Sequence, residues 1–573
     1  MRLHTLFAAT ALWLAGCALP PPAAVRPGAD NSIAVTANPL ATQAALSMLA
    51  RGGSAVDAAV AAQMVLGLVE PQSSGIGGGA LAMYWDSGKR QLTSFDGLAA
   101  APARVTPGLT VDTDGARLDT EMVSRGGRSV GVPGALALLE ALHQRSGKLP
   151  WATLFEPAIT LAQSGFAMPR YLHDVLSAPT AARDHPQMRT LYFDSGGRVL
   201  PLGSLIKNPD YARTMAVIAE LGPRGWLQAG AAREIVAAAQ GGHKASLMAE
   251  ADLLDYRVQT REPLCAPFQR YRVCAMGPSS FGGVAVLQML QMLDRPGSSF
   301  NFDDTEFVHR YVEAGRLAQA DRLRYAADPG VVPVPTTSLL ARGYLDQRAA
   351  LIDPTRAMAE PRAGDVQSSR AVALPDRAEH ATTTSQIAVV DAAGNALAIT
   401  STINLNFGSR LMVGGFVLNN ALTNFASFTS APPPGQEVPR ARANAMAPGK
   451  RPVSSMAPAI VFDEHGEPVV VGGSAGGGQI VDYIAASLIE MLAAGRTPAQ
   501  ALARGHVSTA LVGVVQLEQG TEAAAHADAL RGKGHRVEVT HMKSGLAFLR
   551  RTTQGWIGAA DPRRDGSAQI GGP

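Results

Sequence analysis

The chain has few cysteines, few aromatic residues and no strongly basic segment. Only three of its 573 residues are cysteine, and 5% are aromatic. No metal-ligand spacing such as C-x-x-C or H-E-x-x-H occurs, so the sequence shows no pattern typical of a metal site. The net charge is +3 without a prominent run of Lys or Arg, which argues against a nucleic-acid partner. No segment reaches the roughly 18 uninterrupted apolar residues that a membrane-spanning helix needs.

The N-terminal residues nevertheless have the anatomy of an export signal. Arg2 and His4 precede an apolar run of about 11 residues, too short to span a bilayer as a mature helix. The run ends in Leu14-Ala15-Gly16-Cys17, which resembles a bacterial lipobox. We therefore expect residues 1–16 to be a signal peptide and residues 17–32 to be a tether whose Cys17 carries the lipid.

This reading places the protein on the periplasmic side of a bacterial envelope. Ala18 gives no inner-membrane retention signal, which favours an anchor in the outer membrane. The alternative is an ordinary signal peptide that happens to contain a cysteine.

The two other cysteines flank a possible β-hairpin. Cys265 and Cys274 enclose residues 266–273, and export to an oxidising compartment would permit a disulfide between them. Two buried free thiols are the equal alternative.

From Ile33 onward the chain has the composition of a folded body of small-residue helices and short strands. Gly52-Gly53-Ser54 supplies a helix stop and a new N-cap. The region from Val132 to about Gln240 is predicted to be largely helical. Further predicted helices are Thr42–Ala50, Ala55–Val69 and Phe307–Ala327, and the predicted strands are Ala80–Trp85, Gln91–Phe95, Tyr271–Met276, Ile387–Asp391, Ala396–Thr402, Met412–Leu418, Ala459–Phe462 and Pro468–Val471.

A long polar segment runs from Pro354 to His380 and ends at a threonine triplet that opens a strand. A segment of this length is usually functional or disordered. A threonine hydroxyl is a weak nucleophile unless a base activates it, and a threonine at a chain N-terminus can use its own α-amine. Self-cleavage between Thr383 and Thr384 would create that terminus. Taken alone, however, threonines at this position are ordinarily a strand start.

Motifs spread over residues 34–568 favour self-cleavage before Thr384. Those after Thr384 are Thr384-Ser385-Gln386-Ile387-Ala388-Val389-Val390-Asp391, Thr400-Ser401-Thr402-Ile403-Asn404, Leu418-Asn419-Asn420, Lys450-Arg451-Pro452-Val453-Ser454-Ser455-Met456, Gly473-Ser474-Ala475-Gly476-Gly477 and Gly558-Ala559-Ala560-Asp561-Pro562-Arg563. Those before it are Gly52-Gly53-Ser54-Ala55-Val56-Asp57, Gly75-Ile76-Gly77-Gly78-Gly79, Gly131-Val132-Pro133-Gly134 and Pro278-Ser279-Ser280-Phe281-Gly282-Gly283. Together, and in this order, they resemble the γ-glutamyltranspeptidases (glutathione hydrolases).

The resemblance implies both a fold and a processing step. The fold would be α+β, the four-layer αββα sandwich of the N-terminal-nucleophile hydrolases. Autocatalytic cleavage of a zymogen would produce a large subunit, residues 33–383, and a small subunit, residues 384–573, which together build one domain. The activity would be hydrolysis or transfer of a γ-glutamyl group from a small molecule such as glutathione, without a cofactor or metal.

Residue roles follow from the same resemblance. Thr384 would be acylated, and Thr402 would orient it. The backbone N–H groups of Gly476 and Gly477 would form the oxyanion hole. The substrate-binding residues would be Ser454 and Ser455 at the α-carboxylate, together with Asn404 and Asn424.

Two ionic anchors of the family pattern are missing. Leu98 stands where the family has an arginine that pairs with the substrate α-carboxylate, and leucine cannot replace a bidentate guanidinium. Asn424 stands where the family has an acid that binds the substrate α-amine, and Ala421 replaces a nearby Glu or Gln. Either a neighbouring arginine compensates or the acyl specificity is altered. The candidate arginines are Arg90, Arg410, Arg440 and Arg442.

Two other readings stay open at this point. Gly472-Gly473-Ser474-Ala475-Gly476 matches the nucleophile elbow of α/β-hydrolases, with a predicted strand before it and a helix after it. Histidines follow in the order that a catalytic triad requires, at His506, His526, His535 and His541. Alternatively, the chain is a catalytically silent, lipid-anchored relative that binds amino-acid derivatives.

Overall fold

The computed structural model describes residues 32–106, 120–178, 181–241, 245–366, 383–426 and 443–571. The predicted signal peptide, Cys17 and nearly all of the tether lie outside these ranges, so the lipid anchor stays a prediction. Within the described ranges, no helix has both the length and the apolar character needed to cross a membrane.

Two antiparallel sheets form the centre of the molecule, and the larger one interleaves strands from before and after Thr384. It has seven strands. From one edge to the other they are β20 (Ser567–Ile570), β1 (Ile33–Thr36), β9 (Ser385–Val390), β10 (Ala396–Thr402), β2 (Gly79–Asp86), β3 (Gln91–Gly97) and β6 (Gln259–Arg261). Strands from before and after Thr384 therefore pair directly at three places, β20–β1, β1–β9 and β10–β2. A cut before Thr384 would leave this sheet whole.

The second sheet has six strands and again combines both parts of the chain. In order they are β19 (Gly555–Ala560), β18 (Ala547–Thr552), β14 (Pro468–Gly473), β13 (Ala459–Phe462), β8 (Tyr271–Ala275) and β7 (Leu264–Phe268). Cys265 and Cys274 lie opposite each other on the β7–β8 hairpin and form a disulfide. The question that the sequence left open is therefore answered in favour of the bonded pair.

Short strands complete the β-structure. They are β4 (Phe166–Ala167) with β5 (Leu205–Ile206), β11 (Met412–Val413) with β12 (Phe416–Val417), and β15 (Val507–Ser508), β16 (Val515–Glu518) and β17 (Val537–Thr540) in a three-stranded sheet. The segment Met412–Leu418 was expected to be a single strand. It is instead the hairpin β11–β12, because Gly414 and Gly415 both adopt positive φ and reverse the chain.

Helices cover both outer faces of the sheets. They are α1 (Pro39–Ala50), α2 (Ala55–Val69), α3 (Thr120–Ser124), α4 (Ala135–Ser146), α5 (Glu156–Ser164), α6 (Arg170–Ser177), α7 (Pro186–Tyr192), α8 (Pro209–Trp226), α9 (Ala232–Gln240), α10 (Glu250–Leu254), α11 (Gly282–Leu293), α12 (Thr305–Tyr325), α13 (Thr336–Leu339), α14 (Arg342–Ala349), α15 (Ile480–Leu492), α16 (Pro498–Ala503) and α17 (Ala527–Gly532). The expected helical region before Gln240 is thus a series of separate helices, and Gly222, at positive φ before Pro223, kinks α8.

Alternating side chains on the central strands separate two cores. On β9, Ile387 and Val389 pack with α1 and α2, whereas Ala388 and Val390 face the six-stranded sheet. The six-stranded sheet is covered on its other face by α11 and α15. The predicted four-layer αββα sandwich is therefore confirmed.

The glycine run Gly75–Gly79 brings the chain close to the strand that carries Thr402. A Cβ at Gly77 would lie 2.2 Å from the Val417 carbonyl oxygen, and one at Gly78 would lie 2.2 Å from the Thr402 carbonyl oxygen. Side chains are not compatible with these backbone contacts. The run therefore positions the end of β10, a role that the sequence pattern alone could not reveal.

We expect Gly78→Ala to disturb the fold at this point. Overpacking of this kind costs about 1–3 kcal/mol, so in a chain of this length the apparent Tm should fall by roughly 1–3 °C. Gly88→Ala is the matched control, because its Cβ would lie 3.5 Å from a side-chain oxygen of Asp86 in an open turn. Differential scanning fluorimetry compares the two variants, and equal Tm values would contradict the assignment.

Candidate active site

Thr384 lies directly before β9 and faces the end of β10. The β9–β10 register pairs Ser385 with Ser401, which places Thr402 beside Thr384. The Thr384 hydroxyl donates to the Thr402 hydroxyl oxygen over 3.1 Å, and the same oxygen accepts a hydrogen bond from the backbone N–H of Asn404 over 2.9 Å. Thr384 is only 3% exposed. The predicted nucleophile and its predicted orienting residue are thus in contact.

The backbone at this junction is strained. Thr384 has φ 100° and Asn404 has φ 80°, although neither is glycine. A β-branched residue at positive φ is an outlier, and such a conformation costs about 1–3 kcal/mol. The Thr383 hydroxyl donates to the Asn404 carbonyl oxygen and so ties the residue before the predicted cut to the opposite turn.

A small cavity of about 40 Å³ opens beside Thr384. It brings together most of the residues that the sequence predicted. The lining residues are Arg322, Thr384, Thr402, Asn404, Leu405, Asn424, Val453, Ser454, Ser455, Met456, Gly477, Gly478 and Ile480. A larger cavity of about 320 Å³ lies elsewhere, between α4, α8 and α10, and does not include Thr384.

The glycine turn after β14 forms part of the wall of this cavity. Gly477, at φ 58°, lines it together with Gly478, and α15 begins two residues later. The N-terminus of that helix adds positive potential where an oxyanion would form. Gly476, predicted for the oxyanion hole, is not among the lining residues. It packs against Tyr483 instead, since a Cβ there would lie 2.6 Å from the ring.

The serine pair is held by the N-terminal part of the chain. The Ser454 carbonyl oxygen accepts from the Ser280 hydroxyl and from the Phe281 N–H, at 3.1 and 3.0 Å. The Ser454 hydroxyl accepts from the Met456 N–H. Ser454 and Ser455 therefore present their side chains from a fixed loop.

Two asparagines that line the cavity are also anchored. The Asn404 amide donates to the Asn420 carbonyl oxygen and the Thr423 hydroxyl, at 3.1 and 2.9 Å. Asn444 bridges both walls, because its amide donates to the Asn424 carbonyl oxygen while its side-chain oxygen accepts from the Val453 N–H. Asn444 cannot be recognised as a site residue from the sequence, since no local pattern distinguishes it.

Leu98 is 5% exposed, belongs to the apolar core and does not line the cavity. Beneath it, the buried carboxylate of Asp96 is paired with Arg261 and Arg451, each at 3.2 Å. Arg451 therefore has a structural ion pair within the Lys-Arg-Pro motif. It does not replace the missing arginine.

The arginines proposed to compensate for Leu98 do not reach the site within the described residues. Arg90 pairs with Glu467 on an exposed hairpin, and Arg410 hydrogen-bonds Ser124. Arg440 and Arg442 lie outside the described residues. The cavity does contain a different cation, Arg322 on α12. The sequence of α12 contains four arginines, and no local pattern indicates which of them lines the cavity.

Among the described lining residues, Arg322 is the only charged one. A buried carboxylate, Glu70, lies behind β9 on the helix side and is hydrogen-bonded to the residue after Thr384. The Ser74 hydroxyl donates to the Ser385 hydroxyl, which donates to Glu70, each over 2.9 Å. Burial raises the pKa of Glu70 to about 7, although Arg564 and the hydrogen bond from Ser385 act in the opposite direction.

The nucleophile-elbow reading is wrong. Ser474 does follow a strand and precede a helix, but its side chain is fully buried and its hydroxyl donates to the Ala475 carbonyl oxygen over 2.6 Å. His506 hydrogen-bonds Ser544, His526 hydrogen-bonds Thr305, and His535 hydrogen-bonds His309. None of these histidines is positioned to activate Ser474.

Sequence comparisons agree with this geometry. A family model described as Gamma-glutamyltranspeptidase matches residues 41–571. The glutathione hydrolase proenzyme of Bacillus subtilis (strain 168) is 32% identical over 566 residues, covering 94% of this chain and 91% of that protein. The acylase ACY 1 proenzyme of Pseudomonas sp. (strain SE83) is 34% identical over 553 residues, covering 94% of this chain and 93% of that protein.

Structural comparisons give the same two kinds of relative, an acylase and a γ-glutamyltranspeptidase. A cephalosporin acylase from Bacillus halodurans matches with a TM-score of 0.81 and 25% identity, covering 99% of both chains. The Helicobacter pylori γ-glutamyltranspeptidase matches with a TM-score of 0.55 and 27% identity, covering 60% of this chain and 97% of that one. In sequence identity, the glutathione hydrolase and the acylase are thus similar to this chain to a comparable degree.

The raised pKa of Glu70 predicts a pH-dependent contribution to stability. Between pH 4.5 and about 7, Glu70 is protonated in the folded state but ionised in the unfolded state. The contribution of Glu70 to the free energy of unfolding therefore falls as pH rises through that window. Glu70→Gln removes the titration. The variant should therefore gain stability relative to the parent protein by on the order of 3 kcal/mol between pH 4.5 and 8.

Unfolding at pH 4.5 and pH 8 measures this difference for Glu70→Gln and for the exposed control Glu464→Gln. Equal pH dependence in the parent protein and the Glu70→Gln variant would contradict the assignment.

Proposed function

The chain belongs to the γ-glutamyltranspeptidase family of N-terminal-nucleophile hydrolases, and we propose that it cuts itself before Thr384 and then hydrolyses an N-acyl amide with the freed Thr384. The observation that carries this proposal is the contact between the Thr384 and Thr402 hydroxyls at a cavity whose opposite wall is the Gly477–Gly478 turn. This arrangement also argues against a catalytically silent binding protein.

The strained backbone supports the self-cleavage step. The Thr384 hydroxyl oxygen attacks the carbonyl carbon of Thr383, the C–N bond breaks, and the hydroxyl proton passes to the departing nitrogen. Water then hydrolyses the resulting ester and leaves Thr384 with a free α-amine. The φ constraint at Thr384 disappears with the peptide bond, so cleavage relieves the strain.

The mature reaction uses the same atoms. The α-amine of Thr384 accepts the hydroxyl proton while the hydroxyl oxygen bonds to the acyl carbonyl carbon. Backbone N–H groups of the Gly477–Gly478 turn and the N-terminus of α15 stabilise the oxyanion. The ammonium returns the proton to the leaving amine as the C–N bond breaks. Water then attacks the acyl-enzyme by the same route, or an amino acid or peptide accepts the acyl group.

The neutral side chain of Asn424 favours an acyl group without an amine. Asn424 lines the cavity and offers no negative charge to a substrate ammonium. Charge-assisted hydrogen bonds contribute about 1.5–3 kcal/mol against about 1 kcal/mol for neutral ones. An acylase whose acyl group lacks the α-amine of a γ-glutamyl group is therefore the function we favour.

Glutathione hydrolysis or γ-glutamyl transfer is the second candidate. Ser454, Ser455 and Asn404 line the cavity as the family pattern requires, and they would hold the α-carboxylate end of a γ-glutamyl group. The similarity to glutathione hydrolases over nearly the whole chain also favours it.

We expect the purified protein to give two fragments on denaturing electrophoresis, the smaller beginning at Thr384. Thr384→Ala removes the attacking oxygen and should leave the chain uncut, whereas Thr384→Ser keeps a hydroxyl and should still be cut. N-terminal sequencing of the small fragment locates the bond. A Thr384→Ala protein that is cut at the same bond would refute the proposed nucleophile.

Acyl preference distinguishes the two candidate substrates. The des-amino glutaryl p-nitroanilide should have a kcat/KM at least equal to that of the γ-glutamyl p-nitroanilide. Asn424→Asp restores a carboxylate and should shift the ratio toward the γ-glutamyl compound by about tenfold, as expected when a neutral hydrogen bond becomes charge-assisted. The exposed substitution Asn301→Asp is the matched control. A strong preference of the unmodified enzyme for the γ-glutamyl compound would favour the second candidate.

A further inference from the structure

Arg564 approaches the nucleophile from the C-terminal turn. Its side chain is 4% exposed, and its Nη1 donates to the carbonyl oxygen of Thr384 over 2.9 Å. The guanidinium lies over the Tyr171 ring, 4.4 Å from the ring centroid. Gly545 makes room for it, because a Cβ at that position would lie 3.1 Å from Arg564 Cζ. Three elements thus fix one cation against the backbone of the nucleophile residue.

The turn that carries Arg564 is itself anchored at successive residues. The Asp561 carboxylate accepts from the Ser544 hydroxyl and the Leu546 N–H. Arg563 pairs with Glu518. The Asp565 carboxylate accepts from the Tyr171 N–H over 2.7 Å, at the first turn of α6, and pairs with Arg170. Arg564 therefore has little freedom to leave the Thr384 carbonyl.

The hydrogen bond from Arg564 to the Thr384 carbonyl oxygen has a further effect once the chain is cut. The ladder of β9 begins at Ser385, so Thr384 projects beyond the paired strand. After cleavage its nitrogen is no longer held by Thr383. The hydrogen bond from Arg564 to the carbonyl then restricts the orientation of a residue whose other backbone end has become free.

The charges around the future α-amine come from several elements. Arg564 and Asp565 lie on the C-terminal turn, Glu70 follows α2, and Arg322 lies on α12. Lys543 contacts the same Tyr171 ring, and Asp482 on α15 is turned away to Ser508 and Thr509. Asp565 is compensated by Arg170 and the N-terminus of α6. Of these groups, Arg564 is the one that hydrogen-bonds the backbone of the nucleophile residue itself.

We propose that Arg564 is a positioning residue for the mature nucleophile: it holds the Thr384 carbonyl and, as a fixed cation, keeps the freed α-amine in its unprotonated, proton-accepting form. This inference rests on the proposed function of Thr384. An α-amine ordinarily titrates near 7.7–8.0, so without such help it would be largely protonated at neutral pH. A nearby cation disfavours the ammonium, and a general base must be unprotonated at the working pH.

The test is the pH profile of kcat/KM for a chromogenic acyl anilide. Arg564→Gln should move the midpoint of the acidic limb upward by about one unit, because the fixed cation is lost. It should also lower kcat by about 10- to 100-fold, the effect of losing a charge-assisted hydrogen bond. The control is Arg551→Gln, which removes an exposed cation on β18 that makes no hydrogen bond to Thr384, and its midpoint should not move. An Arg564→Gln enzyme that is cut normally and keeps the original midpoint overturns the proposal.

Arg564→Lys keeps the charge but changes the geometry, and it decides the outcome if the Gln variant is not cut. The Lys variant should keep the midpoint within about 0.3 units and lose about tenfold in kcat. An Arg564→Lys enzyme with the original kcat overturns the positioning role, and one with a midpoint raised by a full unit overturns the electrostatic role. If instead the parent protein is uncut, or Thr384→Ala retains activity, the proposed function itself has failed, whatever Arg564 does.

Discussion

The pairing of β9 with β10 is the interaction on which the site depends. It brings Thr384 beside Thr402, and it does so from the middle of a seven-stranded sheet, where β9 also pairs with β1. A nucleophile held in this way is aligned before any bond is cut. The glycine run at Gly77–Gly78 then fixes the end of β10 through backbone contacts too close for a side chain. The position of the Thr384 hydroxyl relative to Thr402 is therefore set by the whole sheet.

The charges of the site fall into separate layers. One set is the cluster of Asp96, Arg261 and Arg451, in which the carboxylate of Asp96 forms ion pairs with both arginines. Behind the strand, Glu70 is buried and changes protonation near neutral pH. At the cavity itself, Arg322 faces the nucleophile from α12. Because charges buried in pairs are not available to a ligand, the ion-paired cluster around Asp96 cannot select a substrate.

Much of the fold is predictable from the sequence, because local patterns specify it. Alternation and small-residue periodicity predict β10 and α2 with their observed bounds, and family motifs predict which hydroxyl faces which. The missing arginine at Leu98 is also visible in the sequence. Its structural context is not, since Leu98 belongs to the core and the cavity cation comes from a helix distant in sequence.

Other residues escape sequence reasoning for the same physical reason. Asn444 and Arg564 act through hydrogen bonds to backbone carbonyl oxygens, and such contacts impose no local pattern on the chain. Gly478 rather than Gly476 lines the cavity because Gly476 is occupied with Tyr483, a contact that depends on how α15 leaves the turn. The disulfide between Cys265 and Cys274 required the strand register, which the spacing of two cysteines does not give.

The position of β1 has a consequence for the lifetime of the processed protein. This strand from the N-terminal part lies between β9 and β20, the first and last strands of the part that follows Thr384. Two strands of the C-terminal piece would thus pair with β1 of the N-terminal piece, one on each side. Cleavage turns refolding from a unimolecular event into a bimolecular encounter, so a molecule that once opened would seldom reassemble. The lifetime of the cleaved protein would then depend on the rate at which β1 separates from β9 and β20. This rate is a kinetic rather than an equilibrium quantity.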